Sequence, residues 1–182
     1  IEMTQTTKEL PNIRLLVLDV DGTLTDGSIC MGPAGEVCKL FSVKDGLGIQ
    51  MLAAAGIQVA VITGRTSEIV ARRMAELPVA RVVQGCADKP AALRALCEEL
   101  GISPAEAAFF GDDLNDLAAM EACGLAACPA DAARDVLERA QYVAPASGGK
   151  GAVRAFAEDY LRQKGLWAET ARKRFGAVVN NG

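Results

Sequence analysis

The feature that most constrains this chain is a short apolar run that ends in two aspartates. Leu15-Leu16-Val17-Leu18 leads directly into Asp19-Val20-Asp21-Gly22. A continuous apolar run bounded by a turn is typical of a buried parallel strand, and Gly22 allows a sharp turn. In open α/β sheets ligands bind at the carboxyl ends of such strands. An aspartate there is often only a turn former or helix cap, so the rest of the chain decides its meaning.

Further apolar strands alternate with helices along the chain. The predicted strands cover residues 13–18, 58–63, 81–84, 108–111, 125–128 and 142–144. The predicted helices include 45–55, 68–76, 89–100, 131–140 and 152–164, with Asp45, Ser67 and Asp88 as N-terminal caps of the first three. This alternation predicts an α/β fold, a three-layer doubly wound parallel sheet covered by helices on both faces. We expect one domain over residues 10–164, with terminal tails at 1–9 and 165–182.

A small β-hairpin is predicted at residues 27–41, and we call it the flap. Two short extended runs flank Gly32-Pro33-Ala34-Gly35, which has turn chemistry. The flap follows the two aspartates directly, so it should hang over them. No large insertion lies between the Asp19 turn and Thr63 or between Thr63 and Lys89, so we expect no large cap domain.

Composition narrows the possible functions. The 182 residues carry 19 Lys and Arg against 23 Asp and Glu, a net charge of −4, which disfavours nucleic-acid binding. There is no His, so any acid–base chemistry must use other groups. The six cysteines form no C-x-x-C pattern and are interpreted as small core residues in a reducing compartment. No long apolar span is present, and we expect a cytoplasmic protein without a membrane anchor.

Four groups of polar side chains each lie at the carboxyl end of a predicted strand or just past it, so they should meet at one edge of the sheet. They are Asp19 with Asp21, then Thr63, then Lys89, and finally Asp112 with Asp113 and Asp116. Each group alone has an ordinary explanation as a turn, a solvated helix start or a cap. Together, several carboxylates on one edge require a cation, and the absence of His and thiolate patterns favours Mg²⁺.

This arrangement also suggests a reaction. Mg²⁺ shares its coordination shell readily with phosphate. Thr63 can donate a hydrogen bond to a phosphoryl oxygen, and Lys89 can neutralise the same group. Asp19 is then the candidate nucleophile that forms an aspartyl phosphate. Asp21 can protonate the leaving oxygen and later activate water.

With these motifs the chain resembles the haloacid dehalogenase superfamily of phosphatases. Asp19-Val20-Asp21-Gly22-Thr23, Thr63, Lys89 and Gly111-Asp112-Asp113-x-x-Asp116 match its four motifs in order. The resemblance implies a Rossmann-like fold and Mg²⁺ held by Asp19, Asp112 and the backbone carbonyl of Asp21. It also implies that Asp113 and Asp116 support these ligands without binding the ion directly.

Further segments are similar to one subfamily, the 3-deoxy-D-manno-octulosonate 8-phosphate (KDO 8-phosphate) phosphatases. They are Thr23-Leu24-Thr25-Asp26-Gly27, Lys44-Asp45-Gly46-Leu47-Gly48-Ile49, Ile62-Thr63-Gly64-Arg65 and Gly148-Gly149-Lys150-Gly151-Ala152-Val153-Arg154. This resemblance implies a phosphomonoesterase for a sugar-acid phosphate. Two features depart from it: many relatives have a basic residue at Gln50, and residues after Leu166 match nothing in the family.

The candidate substrate-binding residues are Lys44, Asp45, Gly46, Arg65, Arg73 and Lys150. Basic groups among them suit the carboxylate or phosphate of an acidic sugar. Two alternatives stay open: a phosphatase of a nonulosonate 9-phosphate, such as a sialic acid phosphate, and a module associated with a cytidylyltransferase. The second alternative predicts a damaged set of motif residues, which this chain does not have.

The resemblance further implies a homotetramer in which neighbouring subunits wall the site. The flap carries three apolar residues expected to be exposed, Ile29, Met31 and Phe41, which a second copy can cover. The glycine-rich turn at 147–151 is expected to reach a neighbour's site, where Lys150 and Arg154 would offer positive charge.

Overall fold

The computed structural model describes residues 9–181, so residues 1–8 of the predicted amino-terminal tail lie outside it. The strands are Leu15–Leu18 (β1), Cys30–Gly32 (β2), Gly35–Cys38 (β3), Gln58–Ile62 (β4), Arg81–Val83 (β5), Ala107–Phe110 (β6), Leu125–Cys128 (β7) and Tyr142–Val143 (β8). The helices are Val43–Ala54 (α1), Glu68–Ala75 (α2), Lys89–Leu100 (α3), Leu117–Glu121 (α4), Arg134–Arg139 (α5), Ala152–Gln163 (α6) and Trp167–Phe175 (α7). A 3₁₀ turn at Pro104–Glu106 carries a capping box.

Six of the strands form one parallel sheet in the order β5-β4-β1-β6-β7-β8. β1 lies between β4 and β6. After β1 the chain builds β4 and β5 on one side of it, and it then crosses to the other side to build β6, β7 and β8. This is the topological switch point of a doubly wound sheet, where ligands bind. The predicted α/β architecture is confirmed. β2 and β3 form a separate antiparallel pair, which is the predicted flap.

Side chains along β1 point alternately to the two faces of the sheet, and a layer of helices packs against each face. Leu16 and Leu18 belong to one core, together with apolar residues of α1, α6 and α7. Leu15 and Val17 belong to a second core with residues of α3 and α4. All four side chains are fully buried. A strand covered on both faces must be apolar at every position, which is why β1 has no polar residue until Asp19.

Two helix caps were predicted correctly and one was not. The side chains of Ser67 and Asp88 accept backbone hydrogen bonds at the starts of α2 and α3. The cap of α1 is Ser42, whose hydroxyl accepts a bond from the backbone N–H of Asp45. Asp45 therefore lies inside the first turn, and its carboxylate is available for a different task, described below.

The stretch predicted as a carboxyl-terminal tail contains a packed helix. In α7 the buried residues Trp167, Thr170 and Ala171 face the core formed with α1 and α6. The guanidinium carbons of Arg154 and Arg162 lie 5.1 and 5.2 Å from the Trp167 ring centroid. Cation–π contacts of this kind add to the apolar packing. The fold thus continues to about residue 175.

The flap differs from the prediction in which side chains it exposes. Ile29 and Met31 are exposed as expected, at 42% and 62%. Phe41 instead packs partly buried against the core, while Val37 and Leu40 are exposed at 60% and 69%.

The cysteines also divide in a way that the sequence did not indicate. Cys97 and Cys128 are buried, as expected of core residues, whereas Cys30 and Cys38 are exposed on the flap. Among the described residues, no helix is long and apolar enough to span a membrane.

Candidate active site

The carboxyl edge of the sheet gathers the predicted site residues. Asp19 follows β1, Thr63 follows the neighbouring strand β4, and Asp112 follows β6 on the other side. Asp19 and Thr63 are almost fully buried, at 4% and 2% exposure. Parallel strands bring their ends to one edge, so residues far apart in the sequence converge there.

Lys89 lies at the centre of this group. Its ammonium nitrogen is 2.7 Å from Asp19 Oδ1 and 2.6 Å from Asp116 Oδ1. The three side chains are between 0% and 6% exposed. Lys89 is the first residue of α3, directly after the Asp88 cap, so a helix start fixes its backbone. We call Asp19, Lys89 and Asp116 the central triad.

Two glycines allow the acidic loop to fold onto this triad. A Cβ atom at Gly22 would lie 2.0 Å from Asp112 Oδ2, so only glycine lets that carboxylate approach the Asp19 loop. Gly22 also has a φ of +93°, a conformation that other residues rarely adopt. A Cβ atom at Gly111 would lie 2.5 Å from the Asp116 carboxyl carbon. Both positions therefore require glycine for steric reasons.

Asp116 is held by several hydrogen bonds. Its Oδ1 accepts from Lys89, and its Oδ2 accepts from the backbone N–H groups of Asp112 and Asp113 at 3.0 and 3.3 Å. Asp112 receives a bond from the Thr23 hydroxyl at 3.2 Å through Oδ1. Asp113 is exposed, and its carboxylate accepts from the backbone N–H of Leu114. Asp116 thus organises the acidic loop, while Asp112 presents its carboxylate toward Asp19.

The electrostatics of this cluster call for an added cation. Oxygen atoms of Asp19, Asp112 and Asp116 all lie within 4.8 Å of one another. Burial and the charge of Asp116 raise the pKa of Asp19 to about 6, against the opposing attraction of Lys89. Burial and the charges of Asp19 and Asp116 raise the pKa of Asp112 to about 8. One lysine does not balance three clustered carboxylates, of which Asp19 and Asp116 are buried and Asp112 is half-buried. An oxygen-only donor set fits a hard ion such as Mg²⁺.

Asp21, the second aspartate of the Asp19-Val20-Asp21 segment, is held by the flap. Lys39 forms an ion pair with Asp21, and its nitrogen also lies 2.9 Å from Glu36 Oε1. The side chain of Lys39 is fully buried. Glu36 in turn accepts a hydrogen bond from the hydroxyl of Ser67, the cap of α2. Arg65 Nε lies 3.9 Å from Asp21 Oδ2 and is half exposed. The flap thus closes over Asp21 within a single chain.

Asp45 and Gly46, predicted to bind substrate, have clear packing roles. The Asp45 carboxylate is buried and accepts backbone N–H bonds from Gly151 and Arg154, at 3.3 and 2.9 Å. Burial raises the pKa of Asp45, although these amides oppose the shift. A Cβ atom at Gly46 would lie 2.7 Å from the guanidinium of Arg73. Asp45 therefore joins α1 to α6, and Gly46 leaves room for Arg73.

The other basic residues predicted to bind substrate differ in their exposure and in their contacts. Lys44 is exposed on the first turn of α1. Arg73 forms an ion pair with Glu76 at 2.8 Å, so part of its charge is already neutralised. Gln50, where the family resemblance leads us to expect a basic residue, has its side-chain oxygen 3.4 Å from an Arg174 nitrogen. Contacts in the described chain thus tie Arg65, but not Lys44 or Arg73, to the motif aspartates.

The glycine-rich turn packs against its own chain. A Cβ atom at Gly148 would lie 1.8 Å from the Gly22 carbonyl oxygen, and the Gly149 N–H donates to the Thr23 carbonyl. The glycines therefore serve a close approach to the Asp19 loop. The Ser28 amide holds the pKa of Asp26 below its usual value, and the charge of exposed Lys150 adds to this shift.

Arg154 is placed differently from Lys150. It pairs with Glu158 at 3.2 Å and stacks on Trp167. Its guanidinium therefore has two partners within its own chain, and a role at a neighbour's site stays a prediction.

Sequence reasoning missed Lys39 and Glu36. The available signal was a pair of opposite charges in a flap that directly follows the motif aspartates. It was weak, because exposed strands commonly carry charged residues. The pairing depends on how the flap curves over the sheet, which is a tertiary property.

Comparisons with known proteins agree with this geometry. A family model for haloacid dehalogenase-like hydrolase matches residues 36–124. The chain is 46% identical over 154 residues to the KDO 8-phosphate phosphatase KdsC of Salmonella typhi, covering 85% of this chain and 82% of that protein.

Solved structures agree as well. The cobalt-bound phosphatase of Haemophilus influenzae aligns with a TM-score of 0.85 at 38% identity, covering 93% of this chain and 97% of that one. The Moraxella catarrhalis enzyme, in complex with magnesium, phosphate and KDO, aligns with a TM-score of 0.83 at 39% identity, covering 89% and 94%. The chain therefore belongs to the KdsC family of phosphatases within the haloacid dehalogenase-like hydrolases.

Proposed function

We propose that this protein is a Mg²⁺-dependent phosphomonoesterase that hydrolyses KDO 8-phosphate to KDO and phosphate. The observation that carries the proposal is the buried central triad with Asp112 beside it. Membership of the KdsC family supports the substrate, and the magnesium, phosphate and KDO bound to the Moraxella relative support the cofactor and product.

Asp19 is the proposed nucleophile. Its Oδ1 is held by Lys89, which leaves Oδ2 to attack phosphorus. The new bond joins this oxygen to phosphorus while the bond from phosphorus to the sugar oxygen breaks. The product is an aspartyl phosphate on Asp19, and the sugar oxygen leaves with a proton from Asp21.

Hydrolysis of the aspartyl phosphate regenerates Asp19. Asp21 now accepts a proton from a water molecule, which attacks phosphorus and releases phosphate. Lys39 contacts Asp21 from the flap and thereby fixes its orientation. We assign Lys39 and Glu36 positioning roles, because they act through Asp21.

The remaining site residues stabilise charge. Mg²⁺, when bound by Asp19, Asp112 and the Asp21 carbonyl, would neutralise charge on the phosphoryl oxygens. Thr63 and Lys89 would hold the transferring group by hydrogen bonds, while Asp116, with Asp113 beside it, would keep Lys89 and the acidic loop in place. Preorganised groups of this kind lower the barrier because they do not reorganise during reaction.

The sugar-acid end of the substrate would be recognised by basic groups at the rim. Arg65 has the strongest support, since it is half exposed and lies beside Asp21. Lys44 and Lys150 are exposed enough to contribute, and Arg73 would need to exchange its bond with Glu76. The retained nucleophile, lysine and acidic loop favour an enzyme over a module that only assists a cytidylyltransferase. A nonulosonate 9-phosphate remains the alternative substrate.

A substrate panel tests this proposal. Phosphate release is measured with KDO 8-phosphate, a nonulosonate 9-phosphate and glucose 6-phosphate, each with Mg²⁺ and with a chelator. We expect the highest kcat/KM with KDO 8-phosphate, and no turnover with chelator. Asp19→Asn is the control for contaminating phosphatase. Preference for the nonulosonate phosphate would change the substrate, and no turnover with any compound would overturn the enzyme assignment.

We also propose a cytoplasmic homotetramer in which the flaps pack together. The supporting observation is the exposure of Ile29, Met31, Val37 and Leu40 on one small flap. Apolar patches of this kind mark association surfaces. Light scattering should give the mass of four chains, and Met31→Lys with Leu40→Lys should lower it. A monomeric wild-type protein with full activity would overturn this arrangement.

A further inference from the structure

The backbone amides of the glycine-rich turn at 147–151 donate hydrogen bonds inside the chain. The donor and acceptor pairs are Gly148 with Asp131 Oδ1 at 2.9 Å, Gly149 with the Thr23 carbonyl at 3.0 Å, Lys150 with the Ser147 carbonyl at 3.0 Å and Gly151 with Asp45 Oδ2 at 3.3 Å. A glycine-rich turn that binds phosphate points such amides at its ligand. Here the amides attach the turn to the rest of the protein instead.

The middle of the turn lies against the loop that follows Asp19. A Cβ atom at Gly148 would lie 1.8 Å from the Gly22 carbonyl oxygen, and the Gly149 N–H donates to the carbonyl of Thr23. Thr23 is fully buried, and its hydroxyl donates to Asp112 Oδ1 at 3.2 Å. A displacement of the turn would therefore move Thr23, and with it the hydrogen bond that orients the Asp112 carboxylate.

Asp45 holds the end of the turn that leads into α6. Gly151 immediately precedes this helix and offers no side chain to cap it. The Asp45 carboxylate supplies the cap from α1, because it accepts from the N–H groups of Gly151 and Arg154 at 3.3 and 2.9 Å. The positive end of the helix dipole favours a carboxylate there. Asp45 is 1% exposed within a single chain, so this contact does not depend on how chains assemble.

Asp131 holds the opposite end of the turn. It follows β7 at the carboxyl edge of the sheet, and its carboxylate accepts from the Gly148 N–H. Two residues later, the N–H of Ala133 donates to the backbone carbonyl of Asp112 at 2.8 Å. The segment that holds the turn therefore also holds the acidic loop.

We propose that Asp45 and Asp131 are positioning residues that fix the glycine-rich turn against the Asp19 loop. Through this turn and Thr23 they keep Asp112 aligned with Asp19 for Mg²⁺ binding and phosphoryl transfer. Both residues act through the turn, so Asp45 has a different role from the substrate binding that the sequence predicted. The inference rests on the proposed Mg²⁺-dependent hydrolysis.

The first test replaces the buried carboxylate. For Asp45→Asn and Asp45→Ala, kcat and KM are measured with KDO 8-phosphate at saturating Mg²⁺, and the Kd of Mg²⁺ is measured by calorimetry without substrate. In Asp45→Asn we expect kcat to fall by about 10-fold and the Kd of Mg²⁺ to rise several-fold, with KM within about 2-fold of the wild type. Asp45→Ala should lose more, because asparagine keeps one oxygen that can accept.

The second test uses the other end of the turn, where a substitution is tolerated more easily. Asp131 is exposed, so Asp131→Ala should fold like the wild type and lower kcat and Mg²⁺ affinity by a smaller factor. Tyr142→Phe is the matched control. It removes a 2.7 Å hydrogen bond to Asp159 in the second half of α6. It should lower the urea midpoint while kcat and the Kd of Mg²⁺ stay at their wild-type values.

The outcomes separate positioning from folding and from substrate binding. Wild-type kcat and Mg²⁺ affinity in Asp45→Asn and Asp131→Ala would overturn the proposal, even if the urea midpoint falls. A higher KM with unchanged kcat would also overturn it, and would return Asp45 to substrate binding. A wild-type protein without turnover would contradict the proposed function, whereas the Mg²⁺ titrations would still test the positioning role.

Discussion

Two lysines in this protein are enclosed by carboxylates, but they belong to very different parts of the molecule. Lys89 pairs with Asp19 and Asp116, and all three side chains are between 0% and 6% exposed. Lys39 is equally enclosed, yet its partners Asp21 and Glu36 are 19% and 14% exposed. The first group is the central triad. It is built on the central strand and a helix start, and we refer to it below as the rigid group. The second is carried by a two-stranded flap.

This difference separates two requirements of phosphoryl transfer. The nucleophile needs fixed charges around it, because preorganisation lowers the barrier. The acid–base group must also admit substrate and water, so it is better placed near a movable element. The flap reaches the body through the polar contacts of Lys39 with Asp21 and of Glu36 with Ser67, and through Phe41 at its end. We therefore expect mutations at the two lysines to have different consequences.

The largest effect is expected at the nucleophile of the rigid group. Asp19→Asn keeps an oxygen that can accept from Lys89, but its amide cannot form the aspartyl phosphate. Phosphate release should fall by at least about 10⁴-fold, while the circular dichroism spectrum stays that of the wild type. Residual turnover within about 100-fold of the wild type would remove Asp19 from the nucleophile role.

The next effect is on stability. Lys89→Met leaves Asp19 and Asp116 buried without their cation, so the free energy of unfolding should fall by about 3 kcal/mol in urea denaturation. Lys173→Met is the matched control, because Lys173 is 70% exposed in its ion pair with Glu169. That change should cost less than about 1 kcal/mol. Equal losses for the two variants would contradict the buried-charge argument.

The rigid group was predictable from the sequence, and the flap contacts were not. The apolar run before Asp19 predicts a central strand, and the alternation of strands with helices places Thr63, Lys89 and Asp112 at the same edge. Lys39 carries no such positional signal. Its burial follows from the curvature of the flap, which local patterns do not encode.

Two local errors have simple physical reasons. Ser42 and Asp45 are both favoured caps three residues apart, so the sequence alone did not decide between them. The helix α7 was missed because its sequence is largely polar and basic. Its buried residues Trp167, Thr170 and Ala171 nevertheless have the i, i+3, i+4 spacing of a helix face, and that signal was available.

A smaller effect on activity is expected at the lysine of the flap. Lys39→Met should lower kcat by about 10- to 100-fold, because Asp21 loses its orientation. The free energy of unfolding should fall by about 1 kcal/mol, less than for Lys89→Met, because Asp21 and Glu36 are partly exposed and water can replace part of the lost contact. Lys39→Arg, which keeps the charge, should recover part of kcat. An unfolding loss as large as that of Lys89→Met would erase the distinction between the two lysines.

The smallest expected effect is a gain in stability, and it concerns Asp112, which lies beside the rigid group. Asp112 is close to Asp19 and Asp116, and burial with their charges raises its pKa. Without a metal ion this repulsion costs stability, so Asp112→Asn should stabilise the chelated protein by about 1 kcal/mol. Thermal unfolding should shift upward by about 2–4 °C, and added Mg²⁺ should raise it no further. Asp113→Asn, at an exposed position, should stay within about 0.5 kcal/mol of the wild type. A loss of stability in Asp112→Asn would mean that the Thr23 hydrogen bond outweighs the repulsion, and that the rigid group tolerates its charges without a cation.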